Sequence, residues 1–335
     1  MNRRFLLTRR PHGTPVPEDF SLVEQPIPAV PAGGLVMRNH YCSLDPAQRG
    51  WMDDVPSYMP PIALGDPVRA STVGVVHASD NPAFQPGDWV MGLTGIEDYS
   101  ACHPGAFTMK LDITQVPSPS LFLSAMGAVG LTGYFGLLDV AKPKPGEVLL
   151  VSGAAGAVGS AVGQIGKIMG CRTIGIAGGP EKCRRLIEDY GYDVAIDYKG
   201  KSVRQLSAEI RRAAPEGVNI VFENVGGMVM DAAMLNLAKY ARIVLCGLIS
   251  EYNLTEKHGV RNLWPILTQQ ATLYGYLVLD YAPRFAEAGA VMAQWMAEGR
   301  LRIDEDVQEG IENAYEAFMR LFTGANTGKL VLKIA

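Results

Sequence analysis

The stretch Val148-Leu149-Leu150-Val151-Ser152-Gly153-Ala154-Ala155-Gly156-Ala157-Val158-Gly159 decides how this chain is read. Its first five residues form a short apolar run, the signature of a buried strand. A glycine-rich turn follows, and Ala157 to Met169 reads as a helix. At such a strand–helix turn, glycines at 156 and 159 let the backbone approach a pyrophosphate, whose charge the helix N-terminus favours. The spacing is G-x-x-G-x-x-G, so an ordinary tight turn stays open as the alternative.

Working outward, the same rhythm continues. Arg172 to Ala177 is the next expected strand and Glu181 to Tyr190 the next helix; Val194-Ala195-Ile196, Val218 to Phe222, Arg242 to Gly247 and Thr272 to Val278 bring the strands to about six. Strands alternating with helices predict a parallel sheet with right-handed crossovers, a doubly wound α/β fold. In such folds the second strand ends, about 20 residues on, in an acid that holds the ribose of NAD. Here that strand ends Ala177-Gly178-Gly179-Pro180, with Lys182 just beyond. A cation and free backbone N–H groups suit a 2′-phosphate, which favours NADP(H); a merely solvated face for Lys182 and Arg184 is the alternative.

Upstream of about residue 120, short apolar runs (Gly34 to Arg38, Thr72 to Ala78, Asp88 to Gly92) are cut by Pro and Gly, predicting an irregular β domain. Length supports two domains, since 335 residues are about twice a single-domain prior of ~150. With 48% apolar and 19% charged residues the chain is globular, and a net charge of −4 gives no case for nucleic acid or an anionic membrane. Ser118 to Leu138 carries no charge, but Gly127, Gly130, Gly133 and Gly136 recur every three residues. That predicts a buried, closely packed helix at a domain junction rather than a membrane span. The arginine-rich N-terminus leaves a transit peptide conceivable. Five scattered cysteines point to a reducing compartment, with cytoplasmic residence expected. The close Cys/His neighbours, His40-Tyr41-Cys42 and Cys102-His103, lack a complementary second pair, so no metal site is expected.

Further segments accumulate through the chain: Ser43-Leu44-Asp45-Pro46 with Arg49-Gly50, Ser57-Tyr58, Gly65 with Thr72-Val73-Gly74, Gly133 to Leu138, Ala177 to Cys183, Glu223-Asn224-Val225-Gly226-Gly227, Cys246 to Asn253 and Asn326-Thr327-Gly328-Lys329. In these the sequence resembles the zinc-independent branch of the medium-chain dehydrogenase/reductases, and is similar to its NADPH-dependent double-bond reductases. The resemblance implies a Rossmann doubly wound parallel sheet inserted into a GroES-like β domain. Residues 1–123 would form the first part of that domain, 124–308 the NADP-binding domain and 309–335 the return. By matching position, Gly156, Ala157, Val158 and Gly159 would hold the pyrophosphate, and Gly178, Lys182 and Tyr198 the adenosine phosphate end. Asn224 would lie at the ribose. Cys246, Gly247, Leu248, Ile249, Ser250 and Tyr252, with Tyr276, Leu277 and Val278, would line the nicotinamide pocket, and Asn326 would reach the cofactor from the C-terminal segment. The family usually reads Asp-Pro-Tyr-Met-Arg where this chain has Asp45-Pro46-Ala47-Gln48-Arg49, a change expected to reshape the substrate cleft.

The expected reaction is conjugate reduction of a small-molecule activated alkene, an α,β-unsaturated ketone or aldehyde. Negative charge develops on the carbonyl oxygen, so a hydrogen-bond donor must be aimed there. Tyr252 is the candidate donor and Tyr58 a candidate lining residue, while Arg49 and Asp45 read as structural. A structural tyrosine is the alternative for Tyr252. Two other functions stay open: a quinone reductase of the same fold, and a non-catalytic NADPH-binding sensor. Relatives often pair their Rossmann sheets edge to edge, so a homodimer through the strand at Tyr274 to Val278 is expected.

Overall fold

The computed structural model describes residues 1–105 and 107–335. Two compact units emerge: Met1–Ser124 with Glu305–Asn326 and Leu330–Ala335, and Ala125–Asp304 with Thr327–Lys329. The first unit opens with strands β1 (Asn2–Leu7), β2 (Phe20–Gln25) and β3 (Leu35–Ser43), helix α1 (Ala47–Trp51), then β4 (Arg69–Ser79), β5 (Trp89–Gly95), β6 (Tyr99–Cys102) and β7 (Met109–Lys110). Strands β3 and β4 pair antiparallel, with a register shift between Asn39 and Tyr41. Gly74 sits opposite that shift, where a Cβ would lie 2.1 Å from the Arg38 carbonyl oxygen. The departure at Ala47-Gln48 is filled structurally. Gln48 is buried, and its amide donates to the carbonyls of Ser43 and Arg69. Arg49, also buried, ion-pairs with Asp53 at 2.6 Å and donates to the carbonyls of Pro11 and Gly13.

The chain passes from the first unit to the second through a broken helical segment. The single helix expected over Ser118 to Leu138 is a 3-10 turn (Pro119–Leu123), helix α2 (Ala128–Phe135) and a wide π turn (Gly136–Ala141). Ser124 leaves helical geometry at φ −114°, ψ −100°, and Gly127 is extended, which interrupts the hydrogen-bond ladder. The glycine face does its expected work in close packing. A Cβ on Gly133 would press on Ala161 and Val162, and one on Gly136 would lie 2.8 Å from the Phe222 ring.

Beyond it run β8 (Val148–Ser152), α3 (Ala157–Ile168), β9 (Arg172–Ala177), α4 (Pro180–Glu188), β10 (Val194–Asp197), α5 (Val203–Ala213), β11 (Val218–Glu223), α6 (Gly227–Met234), β12 (Leu237–Leu245), α7 (Trp264–Thr268), β13 (Thr272–Gly275) and α8 (Phe285–Ala297). The six strands form one sheet in the order β10-β9-β8-β11-β12-β13, every pair parallel. This is the doubly wound Rossmann order, which reverses between β8 and β11 and opens a crevice at their carboxyl ends. Strand β12 begins at Leu237, and β13 stops at Gly275 instead of running to Val278. Tyr276 to Val278 therefore lie on the segment after the strand.

The chain re-enters the first unit at Glu305 with β14 (Glu305–Glu309), α9 (Ala314–Thr323) and β15 (Lys329–Lys333). Strand β15 pairs antiparallel with β3, Val331 facing Ser43. Its Leu330 and Leu332 share one core with Phe5, Leu7, Phe318 and Ile311. Among the described residues, no helix is long and apolar enough to cross a membrane.

Helix α3 meets the sheet through small residues. A Cβ on Gly163 would lie 2.0 Å from Cζ of Tyr192, whose ring is buried and whose hydroxyl donates to Gly159 O at 2.7 Å. Pinned in this way, the ring cannot yield. Gly163→Ala is therefore expected to destabilise the protein by about 1–3 kcal/mol through overpacking. A chemical-denaturation curve coinciding with that of the parent would refute this.

Candidate active site

Every site residue expected in the second unit lies at the carboxyl edge of its sheet. The turn after β8 carries Gly156 to Gly159; Gly178 follows β9, Tyr198 follows β10 and Asn224 follows β11. Cys246 to Ser250 and Tyr252 follow β12, and Tyr276 to Val278 follow β13. Tyr58 and Asn326 belong to the first unit.

The glycine turn is built by contact. A Cβ on Gly159 would lie 2.4 Å from Gly153 O and 2.6 Å from Ala154 Cα, so only glycine lets the first turn of α3 close on its own loop. Gly156 is the N-cap and no side chain caps this helix. The partial positive charge of such a terminus favours an anion. Gly156 to Val158 are partly exposed, whereas Gly159 is buried.

At the tip of β9, a Cβ on Gly178 would lie 3.1 Å from Tyr198 Cε1 and from Lys199 Cε, so both side chains pass over this glycine. Lys182 stands in the first turn of α4. A cation there opposes the helix dipole, an arrangement that a bound dianion reverses. Arg184 instead pairs with Glu181 and Glu188 on the exposed face of α4, the solvated alternative considered for it. Sequence inspection missed Asp197, an acid beside the tip on the neighbouring strand. Its Oδ1 accepts from the N–H groups of Gly179 and Lys199 at 2.8 and 2.9 Å. Burial alone would raise its pKa, but those bonds and the nearby lysines outweigh it and hold the pKa low.

Glu223 and Ser152 form the other overlooked feature. Glu223 is fully buried at the end of β11, and its Oε1 accepts from Ser152 Oγ and from the N–H groups of Val225 and Gly226 at 2.7–2.8 Å. Asn224 donates its amide to Ser152 O at 2.7 Å. This network ties the ends of β8 and β11 together where the strand order reverses. Burial pushes the Glu223 pKa up, with the surrounding donors opposing. An acid closing the apolar run Val218 to Phe222 was the available sequence signal.

The loop after β12 is held to the same hub. Cys246 and Gly247 donate their N–H groups to Glu223 O, Ile249 to Asn224 O, and Ser250 to Val225 O. The Cys246 thiol is enclosed; burial, then the charge of Glu223, push its pKa up to about 12, so it stays a thiol. Tyr276 is 9% exposed, and its ring meets Tyr281 at 5.6 Å between centroids. Leu277 is exposed beside it and Val278 is partly buried. Tyr252 is half-buried, and its Oη accepts from the Leu248 N–H at 3.2 Å. Acceptance of that bond polarises the phenol O–H as a donor. In the first unit, Tyr58 Oη accepts from Trp51 Nε1–H at 3.1 Å with the rings edge to face.

Among the described residues, no three His, Cys, Asp or Glu side chains converge to hold a metal. His103 lies 3.2 Å from Ala32 O, and His40 packs against Trp89.

The raised pKa of Glu223 has a consequence for stability. Its native carboxyl keeps a proton to higher pH than in the unfolded chain, so stability falls as pH rises above the ordinary carboxylate range. Glu223→Gln removes this contribution. Between about pH 5 and about pH 8 its urea midpoint should rise relative to the parent; a difference that stays constant would count against the assignment.

A family model described as the N-terminal domain of oxidoreductase matches residues 3–110, and one described as zinc-binding dehydrogenase matches residues 157–295. The chain is 42% identical to an NADPH-dependent curcumin reductase of Escherichia coli, covering 100% of this chain and 97% of the relative. It is 38% identical to an NADP(+)-dependent 2-alkenal reductase of Nicotiana tabacum, with coverage of 100% and 98%. A solved structure of CurA from Vibrio vulnificus in complex with NADPH superposes with a TM-score of 0.93 at 40% identity, covering 99% of both chains. Similarity of this extent, spanning both units and the crevice loops, makes the chain a member of the medium-chain dehydrogenase/reductase family.

Proposed function

We propose that this protein reduces the C=C bond of α,β-unsaturated ketones or aldehydes with NADPH and without zinc. One observation carries the reading: the six loops at the carboxyl edge of the sheet combine a helix N-terminus without a side-chain cap, a glycine where an NAD site has an acid with a lysine in the helix turn just beyond, and a phenol after β12. Relatives named as curcumin and alkenal reductases support the same chemistry. The second unit is the NADP-binding domain, corresponding to 124–308, and the first, 1–123 with 309–335, the substrate domain.

Gly156 to Gly159 receive the pyrophosphate on the N–H groups of α3, where the lack of a side chain at Gly159 lets the first turn close on its own loop. Lys182 and Tyr198, over Gly178, take the 2′-phosphate end; Asn224 faces the ribose region. Cys246 to Ser250 and Tyr276 to Val278 wall the nicotinamide. When bound, NADPH supplies a hydride from nicotinamide C4 to the β-carbon of the substrate. Tyr252 donates its phenol O–H to the carbonyl oxygen, where enolate charge develops. Solvent can protonate the α-carbon. Roles for Tyr58 at the substrate and Asn326 at the cofactor rest on the family resemblance. The absence of converging ligand side chains among the described residues supports zinc independence, and scattered free thiols support a cytoplasmic setting.

A homodimer is part of the proposal. Strand β13 is an edge of the sheet; Thr272 to Gly275 are exposed, and Leu273 and Tyr274, like Trp264 and Leu267 of α7, are exposed apolar side chains. An exposed apolar edge of this kind invites pairing with a second copy. Sedimentation equilibrium should give a dimer that Leu273→Lys converts to monomer. A parent chain that is monomeric throughout the micromolar range removes this part.

The reaction is tested by following NADPH oxidation with a panel of enones, enals and quinones, using NADH as control. Enones and enals should turn over fastest and NADPH should be preferred. Faster quinone turnover would favour the quinone-reductase reading, and cofactor binding without turnover would favour a sensor. Tyr252→Phe should lower kcat/KM for enones by about a hundredfold. An unchanged value with several substrates removes Tyr252 from the chemistry.

A further inference from the structure

The segment Arg302 to Asp304 holds three parts of the second unit together. Gln164 of α3 donates to Arg302 O at 2.7 Å and accepts from the Arg302 N–H at 2.8 Å. Two residues on, the Asp304 carboxylate reaches α4: its Oδ2 accepts from Arg185 Nη2 at 2.5 Å and from Tyr190 Oη at 3.0 Å. Its Oδ1 accepts from Arg302 Nε at 2.6 Å. Asp304 O accepts the Lys329 N–H at 2.7 Å. The neighbouring Gly328 pairs with Gly156, the N-cap of α3, in a parallel bridge. Contact there is tight: Gly328 has φ +76°, and a Cβ on it would lie 2.2 Å from Asp304 O.

The geometry points to Asp304 as a positioning residue for NADP(H), fixing the spacing between the glycine turn and α4, which it holds by the last turn through Arg185. This inference rests on the NADP(H) reading above. One end of the brace is the Gly156 turn, which receives the pyrophosphate. The other is α4, whose first turn carries Lys182. Both are reached from a single residue, through Gly328 and the Asp304 main chain on one side and Arg185 on the other. Arg185 also pairs with Asp189 at 3.0 Å, so loss of Asp304 leaves the arginine charge balanced within its own helix while the tie between segments is lost.

The sign of the effect separates positioning from charge. Asp304 carries a negative charge in the unit that binds a polyanion, and through-space repulsion alone predicts tighter binding when that charge is removed. A brace predicts the reverse. Titration calorimetry on the full chain with NADPH and with adenosine 2′,5′-bisphosphate, alongside steady-state kinetics and thermal unfolding, reads this out. Asp304→Asn is expected to weaken both ligands and raise the KM for NADPH by about tenfold, with kcat within about twofold and unfolding still cooperative. Arg185→Lys, which keeps the net charge, should weaken binding in the same direction by a smaller factor. Unchanged or tighter binding by Asp304→Asn overturns the inference. So does a fall in kcat at constant KM, or weakening confined to variants that no longer unfold cooperatively. If the parent chain binds neither ligand, the NADP(H) reading itself fails.

Discussion

No side chain fits between the first turn of α3 and the loop before it, and the second unit is organised around that exclusion. With hydrogen at Gly159, the helix backbone closes to within contact of Gly153 and Ala154. Tyr192 then donates to Gly159 O and lays its ring over Gly163, while Gly166 admits Leu149 from the strand below. The helix is seated on β8 and β9 along its length. Its uncapped N-terminal N–H groups emerge beside the point where the strand order reverses. A helix terminus offers partial positive charge only over its first turn, so the depth of its seat decides where an anion can be held.

A second constraint meets the first at the same edge. Burying Glu223 is unfavourable by itself, and the molecule offsets this with a hydroxyl and two backbone N–H groups on one carboxyl oxygen. The same residue's carbonyl accepts from Cys246 and Gly247, so β8, β11 and the loop after β12 share one anchor. Burial also pushes the Cys246 thiol and the Tyr276 phenol upward, which keeps them neutral. The walls assigned to the nicotinamide are therefore uncharged, in keeping with hydride chemistry in a site of low polarity. Tyr252 differs in being half-buried and polarised by the Leu248 N–H.

The tip of β9 shows how charge preference is built from neighbours. An acid placed on the tip would meet a ribose; here glycine stands there, with Tyr198 and Lys199 folded over it. The acid that does lie close, Asp197, is occupied by the N–H groups of Gly179 and Lys199 and serves the turn. Lys182 and Asp197 are 15 residues apart in number (197 − 182), and the carboxylate's use in the turn was invisible in the chain read linearly.

The sequence by itself determined the local elements and the chemistry of the loops. The run Val148 to Ser152, the glycines at 153, 156 and 159, and the change from period two to helical period are short-range signals, because each depends on residues within a turn or two. They made the Rossmann sheet and the NADP(H) preference legible. The broken helix at Ser118 to Leu138 misled because its apolar, uncharged composition says nothing of the extended backbone at Gly127. Only the tertiary structure decided which distant groups meet. Ser152 and Glu223 lie 71 residues apart, Arg185 and Asp304 119 apart, and the antiparallel partner of β3 comes from the last residues of the chain. Such pairs leave no periodic trace, since hydrogen bonding and burial are satisfied by whatever the fold brings into contact.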